Sequence, residues 1–346
     1  MKIAYLAQTY PPMISGQAIV TQRLAEGMAA RGHSVLVIAA SESGTPYIEE
    51  QDNLRLVRLR SFNNPFRIGQ RILLWPFRQV YAELLRFNPD LVHVHDPLHS
   101  ALAGMYATRG RQVQTVMTTH QLPWFVSNFI PVPPRLRKAV DEALWWYARW
   151  LCKRFDTLIA PTGTIAEVVQ QHTGRLPHVI SNGMDLEAFQ PEPTTPNERE
   201  SLCAKYGLDP KFPIILHVGQ LNVQKQADIV VHAAAWVMRN TKAQLLVVGD
   251  GKQRKKLIRL ANELGIHERS VFPGYVTDDL PGVYRLGAVF VTASEVETQG
   301  LVLLEAMASG LPVVAAQATC IPEIVQDGVN GYLGPAKRCA VVRLAD

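Results

Sequence analysis

The chain has 346 residues, 47% hydrophobic and 19% charged, so it is too apolar to be disordered and long enough for two ordinary α/β domains. Its formal charge of +5 suits an anionic partner, either nucleic acid, an anionic membrane or an anionic small substrate. The absence of a Cys/His finger and of a repeated basic-aromatic RNA signature argues against nucleic acid, and no apolar run nears the roughly 20 residues of a membrane span.

The segment KIAYLA (2–7) reads as a short buried parallel strand, too short for the core of a signal peptide. A Pro-Pro loop and Ser15-Gly16 follow. A helix then carries Val20, Leu24 and Met28 at i, i+4 and i+8, and ends near Gly32 before the strand SVLVIAA. This is a βαβ opening. DLVHVH (90–95), VQTVMTTH (113–120) and DTLIAPT (156–162) repeat the pattern of a short β-rich run closed by polar residues. From Asn182 to about Pro210 the chain turns polar and proline-rich, as in FQPEPTTPNERE, and reads as a linker. A second series follows: PIILHVG, a helix with Val230, Ala233, Ala234 and Val237, then QLLVVGDG, SVFPGYV, AVFVTAS and LPVVAA. The expectation is α/β, two Rossmann-like doubly wound parallel-sheet domains facing a cleft, with an N-terminal domain at 1–185, a linker at 186–210 and a C-terminal domain at 211–346. The four cysteines, Cys152, Cys203, Cys320 and Cys339, are far apart with no CxxC, as expected of free thiols in a reducing cytosol. The chain is therefore expected to be cytoplasmic, with peripheral attachment to the cytoplasmic membrane face left open.

Open parallel sheets bind ligands at the carboxyl ends of their strands. The residues to weigh are Ser15-Gly16, His95-Asp96 and His120 in the first half. In the second half they are Gly219-Gln220 through Lys225, Gly249-Asp250-Gly251, and the segment 294–305. ETQGLVLLEAMASG places Gly300 where a strand gives way to a helix, so the N–H groups of Gly300, Leu301 and Val302 suit a phosphate. Glu297 and Glu305 would repel that phosphate but accept hydrogen bonds from sugar hydroxyls, and a phosphate beside polyols is a nucleotide sugar. The plain alternative is that Glu305 complements the helix dipole and Glu297 is solvated, and spacing leaves the two readings even. Asn222 is a plausible N-cap, and Lys225 is either a point charge for a diphosphate or a solvated side chain. His120 could bond a substrate hydroxyl or be structural. His93 and His95 share one strand face, yet a third metal ligand at sensible spacing is missing.

Taken together, these segments make the chain resemble the retaining GT-B enzymes of glycosyltransferase family 4. The similar stretches are YPPMISGQAIVTQRLAEGMAARGHSVLVIA, PDLVHVHDP, TTH, ISNGMDLEAFQP, VGQLNVQK, VVGDG, VFPGYV and ETQGLVLLEAMASGLPVVA with PEIVQDGVNGYL. The last contains the family's Glu-x7-Glu signature in full. The resemblance implies that Glu297, with the backbone of Gly300 and Leu301, holds donor-sugar hydroxyls. It also implies that Glu305 binds the ribose diol, that Lys225 and the amide of Gly16 face the diphosphate, and that His120 lies beside the sugar. Gly219, Gln220 and Val302 fall in the implied donor site, and Asn182 at the domain junction. A nucleotide-diphosphate sugar is the implied co-substrate, UDP-glucose-like or GDP-mannose-like, with no cofactor and no bound metal. Retention is implied to proceed by same-face attack, with a leaving phosphate oxygen taking the acceptor's proton.

Three departures stand out. Relatives usually have Gly-Arg where this chain has Gly219-Gln220, so one cation is missing. Their paired loop glycines are Ser15-Gly16 here, tolerable if the φ of Ser15 is negative. Relatives also continue beyond NGYLGPAKRC with further helices, the last crossing back to the first domain, so either a C-terminal truncation or a weakened closure of the two domains is expected. For the acceptor, residues 60–87 mix Arg67, Arg71 and Arg78 with Phe66, Trp75 and Phe77. Residues 124–155 add Trp124, Phe129, Arg135, Arg137 and Lys138. Such mixtures suit an anionic bilayer, which favours a lipid acceptor such as diacylglycerol. The alternative is that Trp145, Trp146 and Trp150 are core aromatics and the acceptor is a soluble saccharide. A catalytically weak nucleotide-sugar binder is a further reading. An NAD-dependent Rossmann enzyme needs GxGxxG after the first strand, which AQTYPPMISG lacks.

Overall fold

A computed structural model describes residues 1–64, 69–123, 132–191 and 195–335. Phe66, Arg67, Trp124, Phe129 and Cys339 lie outside the described residues. The chain divides into two compact units, Met1–Asn182 and Gly183–Asp346.

The first unit runs β1 (Lys2–Leu6), α1 (Gly16–Ala30), β2 (Ser34–Ala40), β3 (Tyr47–Gln51), β4 (Leu54–Leu59), β5 (Ser61–Asn63), β6 (Arg71–Leu73) and α2 (Phe77–Phe87). It continues with β7 (Leu91–Val94), α3 (His99–Thr108), β8 (Gln114–Thr118), α4 (Pro134–Cys152), β9 (Thr157–Ala160), α5 (Gly163–Thr173) and β10 (His178–Val179). Its main sheet has the order β10-β9-β8-β7-β1-β2-β4-β3. The pairings are parallel except for β3 against β4. Residues 3–6 of β1 are all buried, as a strand flanked by β2 and β7 and covered on both faces must be. The order reverses at β1, so the loops after β1 and β7 diverge there and leave a crevice at their carboxyl ends. The β3–β4 hairpin has no counterpart in the sequence reading. Its edge strand, YIEEQ, is almost wholly exposed and lacks the apolar run by which a buried strand is recognised.

The second unit opens with α6 (Pro196–Tyr206) and builds a sheet from β11 (Ile214–Val218), β12 (Gln244–Val248), β13 (Ser270–Gly274), β14 (Val289–Thr292), β15 (Val313–Gln317) and β16 (Gly331–Pro335). Between these strands lie a short 3-10 turn (Val223–Lys225), α7 (Ala227–Asn240), α8 (Arg254–Glu263), α9 (Leu280–Leu286), α10 (Leu301–Ala308) and α11 (Ile321–Ile324). The order is β13-β12-β11-β14-β15-β16, parallel throughout. Here the reversal falls between β11 and β14, which brings the loops after those two strands side by side.

Within the stretch expected as a linker at 186–210, the described residues include a helix and side chains packed into the second unit's core. Phe189 and Cys203 pack with Leu216, Tyr284 and Phe290. Thr195 and Glu198 form a reciprocal capping box, with Glu198 N donating to Thr195 Oγ1 at 3.3 Å and Thr195 N donating to Glu198 Oε2 at 2.9 Å. The proline and polar residues that suggested a linker are thus helix-start chemistry, Pro196 at the first helical position with a Thr-x-x-Glu box around it. Among the described residues no helix is long and apolar enough to cross a membrane, and Cys152, Cys203 and Cys320 are buried thiols outside any disulfide.

Candidate active site

In the first unit, three neighbouring strands present the expected residues at one end. Ser15 follows β1 with an extended φ of −160°, so the serine in place of a glycine is unstrained. It caps α1 by accepting from Ala18 N at 3.1 Å, and its hydroxyl meets Thr9 Oγ1 at 3.0 Å. Gly16 is the first residue of α1, where a backbone N–H has no intrahelical acceptor. No acid sits in the first turn of α1 to oppose an incoming anion.

His93, His95 and His120 form one cluster at the ends of β7 and β8. His93 Nε2 bonds Thr118 Oγ1 at 2.7 Å, and His95 Nδ1 bonds His120 Nε2 at 2.8 Å. The rings of His93 and His95 lie 4.2 Å apart, those of His95 and His120 5.1 Å apart, and Tyr5 packs against the first two. Burial, with neighbouring imidazoles adding to it at His93 and His95, disfavours the charged forms. His93 is lowered to about 3, His120 to about 4, and His95 well below the usual value. All three rings are neutral at physiological pH. Asp96 is structural: its Oδ1 accepts from Leu98 N at 3.2 Å and Ser100 N at 3.4 Å, at the start of α3. Burial raises its carboxyl. Among the described residues no group of three or more His, Cys, Asp or Glu could hold a metal ion.

In the second unit the β11 and β14 loops bring Lys225 and Glu297 together. Lys225 Nζ donates to Glu297 Oε1 at 2.5 Å, with the two side chains 22% and 10% exposed. Asn222 caps the turn beneath the lysine, accepting from Lys225 N at 3.1 Å. Gln220, in place of the expected cation, accepts at Oε1 from Asn222 Nδ2 at 3.5 Å. Gly219 lies against Gly249, whose φ is +133°, and a Cβ on Gly249 would stand 1.9 Å from the Gly219 carbonyl oxygen. The glycines of VGDG are therefore packing requirements: they let the β12 loop lie directly against the one carrying Lys225.

Gly300 adopts φ +72° and opens α10, so Leu301 and Val302 are its first two residues, with N–H groups that have no intrahelical acceptor. Glu305 is not near the first turn, nor does it complement the helix dipole. It is the fifth residue of α10, buried, and its Oε2 accepts from Tyr284 Oη at 2.9 Å. Burial and the adjacent carboxylate push the Tyr284 hydroxyl well above its usual range, so it stays a donor.

Sequence reading missed the residues that hold these acids. Thr319 takes φ +41°, an outlying conformation for a β-branched residue, and its Oγ1 accepts from Glu297 N at 3.1 Å. Cys320 Sγ donates to Glu297 O at 3.3 Å. The backbone of Glu297 is thereby clamped on both sides by the loop after β15. The cysteine spacing and the weak QATCIP pattern gave no hint of this, because the contact spans 22 residues and depends on the sheet order.

Two sequence profiles match. Glycosyltransferase Family 4 covers residues 14–188 and Glycosyl transferases group 1 covers residues 198–343. The chain belongs to the GT4 family of retaining GT-B glycosyltransferases. It is 28% identical over 344 residues to the sulfoquinovosyl transferase of Arabidopsis thaliana, covering 96% of this chain and 63% of that protein, less than two thirds of its length. It is 25% identical over 337 residues to the alpha-monoglucosyldiacylglycerol synthase of Streptococcus pneumoniae, covering 96% of this chain and 75% of that one. The solved structure of sucrose-phosphate synthase from Thermosynechococcus elongatus superposes with a TM-score of 0.81 at 23% identity, over 99% of this chain and 88% of that one, which shows the shared GT-B fold. In GT4 terms, Glu297 and Glu305 are the two acids of the Glu-x7-Glu signature. They have different surroundings: Glu297 faces a cation, while Glu305 is buried against a phenol.

Proposed function

We propose that this GT4 chain transfers a hexose from a nucleoside-diphosphate sugar to a lipid hydroxyl at an anionic membrane surface. The observation that carries the donor half is the Lys225–Glu297 pair. The ammonium and the carboxylate occupy each other in the resting site. A donor gives each a better partner, its diphosphate the lysine and its hydroxyls the acid. Lys225 and the amides of Leu301 and Val302 stabilise the negative charge that grows on the leaving diphosphate. Glu305, held by Tyr284, accepts from the ribose diol, and His120 meets the sugar. Gly219 and Gln220 line the approach to the phosphates.

The lipid half rests on exposed aromatic and basic side chains of the first unit. Phe77, Tyr81 and Leu85 repeat every four residues along α2, with Arg78 beside them, and Tyr81 and Tyr106 of α3 meet at 6.0 Å. Trp75, Tyr81, Leu85, Tyr106 and Trp146 are exposed, so Trp146 is not a core aromatic. Trp145 stacks on His172 at 3.8 Å, and Arg154 lies 3.8 Å over Trp150. An apolar stripe edged with arginine suits anionic headgroups. The pneumococcal relative, named for a diacylglycerol product, supports the same reading.

A second reading, a nucleotide-sugar binder with weak transfer, is favoured by Gln220, whose side chain bonds Asn222 where an arginine would meet the diphosphate. The test incubates the chain with UDP-glucose or GDP-mannose and anionic vesicles containing diacylglycerol, and follows glycolipid formation. Glycolipid formed by the chain and lost in Glu297→Ala supports transfer. Donor-induced thermal stabilisation without product supports the second reading. Product formed only with a soluble saccharide overturns the lipid acceptor.

A further inference from the structure

We infer that His95 is a positioning residue that fixes His120 as an Nδ1–H tautomer, so that His120 meets its ligand as a hydrogen-bond donor. The two rings share one hydrogen bond, His95 Nδ1 to His120 Nε2 at 2.8 Å. Both rings are neutral, so each carries one proton and one bare nitrogen. Only two arrangements satisfy the bond. In the first, His120 donates from Nε2. His95 then accepts at Nδ1 and must carry its own proton on Nε2. That nitrogen is buried and has no hydrogen-bond partner among the described residues, and His93, whose ring touches it, is engaged with Thr118. The first arrangement therefore strands an N–H inside the protein. In the second, His95 donates from Nδ1 and leaves only a bare lone pair at Nε2. Orphaned buried N–H groups are rarer and costlier than orphaned acceptors. The second arrangement wins. His120 accepts at Nε2 and carries its proton on Nδ1, the nitrogen left for a ligand.

The arrangement has a chemical consequence, which rests on the proposed sugar contact of His120. A ring that donates from Nδ1 requires an acceptor oxygen opposite it. The sugar hydroxyl there accepts from His120 and must place its own proton elsewhere. A general base at that position would need the other tautomer.

The test begins with the ligand-free chain and needs no activity. Long-range proton–nitrogen correlation spectra of the histidine-15N-labelled full chain at pH 7 report which nitrogen of each ring is protonated. A pyrrole-like Nδ1 and pyridine-like Nε2 at His120 support the inference. A protonated Nε2 or a doubly protonated ring overturns it. Two variants then test His95 itself. His95→Phe removes the donor, and His120 is expected to shift to a mixture of tautomers, with kcat for transfer falling about tenfold or more. His95→Gln keeps an amide N–H and is expected to restore the Nδ1–H form and most of the rate. An unchanged His120 tautomer or rate in a folded His95→Phe overturns the positioning role. If the unsubstituted chain transfers from no donor, the proposed function fails while the tautomer result stands independently.

Discussion

The two strand-end sites are built on the same βαβ geometry with opposite electrostatics. In the first unit three imidazoles meet at the ends of β7 and β8, all neutral because they are buried. In the second, an ammonium and a carboxylate meet at the ends of β11 and β14 and keep partial access to water. Backbone strain separates them as well. Among the described residues, the non-glycine residues of positive φ in the first unit, Asp52, Trp75 and Asn88, lie in turns and at a helix end. Those of the second unit, Gln226 and Thr319, adjoin Lys225 and hold Glu297. Neutral groups can be fixed by packing and a few hydrogen bonds. The charged pair is instead held by loops in conformations the chain would otherwise avoid.

If the charged site carries the chemistry, its loss has the largest effect. Lys225→Ala and Glu297→Ala are each expected to lower kcat for transfer by about a hundredfold to a thousandfold, the scale of losing one preorganised electrostatic contact. Each also leaves a partly buried charge unpaired, so the melting temperature should fall modestly in both. Full activity in either folded variant breaks the assignment.

The neutral site predicts an acid effect. A histidine lowered on folding is protonated first in the unfolded chain, so stability is complete above pH 6.5 and is lost as pH falls towards the folded value. For His93, at about 3, and for His120, at about 4, each pH unit in that window costs about 1.4 kcal/mol per ring. Thermal unfolding between pH 7 and pH 4 should show the decline. Imidazole resonances of the native chain should not titrate near pH 6.5 at either ring, and a midpoint there would mean that water reaches it.

A smaller effect distinguishes the two acids of the second unit. Tyr284→Phe removes the O–H that Glu305 accepts and leaves a buried carboxylate with one donor fewer. The expected cost is about 1.5–3 kcal/mol of stability, the range for hydrogen bonds to charged groups, with a raised KM for donor and little change in kcat. A lowered kcat at unchanged KM would move Glu305 from nucleotide binding to the reacting sugar.

Strand ends were legible in the sequence because parallel strands are apolar runs closed by polar residues, and KIAYLA, VMTTH, PIILHVG and AVFVTAS all follow that rule. Lys225 and Glu297 were legible separately. Their direct pairing was not, because it spans 72 residues and follows from β11 lying beside β14. The same limit hid the bond between His95 and His120 and the hold of Thr319 on Glu297. Helix α6 was misread for another reason. A proline, two threonines and two glutamates in a polar stretch fit a linker by composition, and only their order, with threonine three residues before glutamate, marks a helix start.

The smallest expected effect is a gain, and it tests whether strain at the charged site is stored by design or merely tolerated. Gln226 follows Lys225 with φ +44° and ψ 42°, a left-handed conformation that costs a side-chain-bearing residue about 1–2 kcal/mol. Its Oε1 is buried and has no hydrogen-bond partner among the described residues. Gln226→Gly removes both penalties and adds back some chain entropy on unfolding, so the net gain should be about 1 kcal/mol. Denaturant unfolding should show a higher midpoint with an unchanged slope. The decisive comparison is with transfer rate in the same variant. A stabilised chain with unchanged kcat means the loop merely tolerates the glutamine. A stabilised chain with lowered kcat means that the left-handed glutamine holds Lys225 ready to leave Glu297 for the diphosphate, and that relaxing the loop lets the resting pair close more firmly.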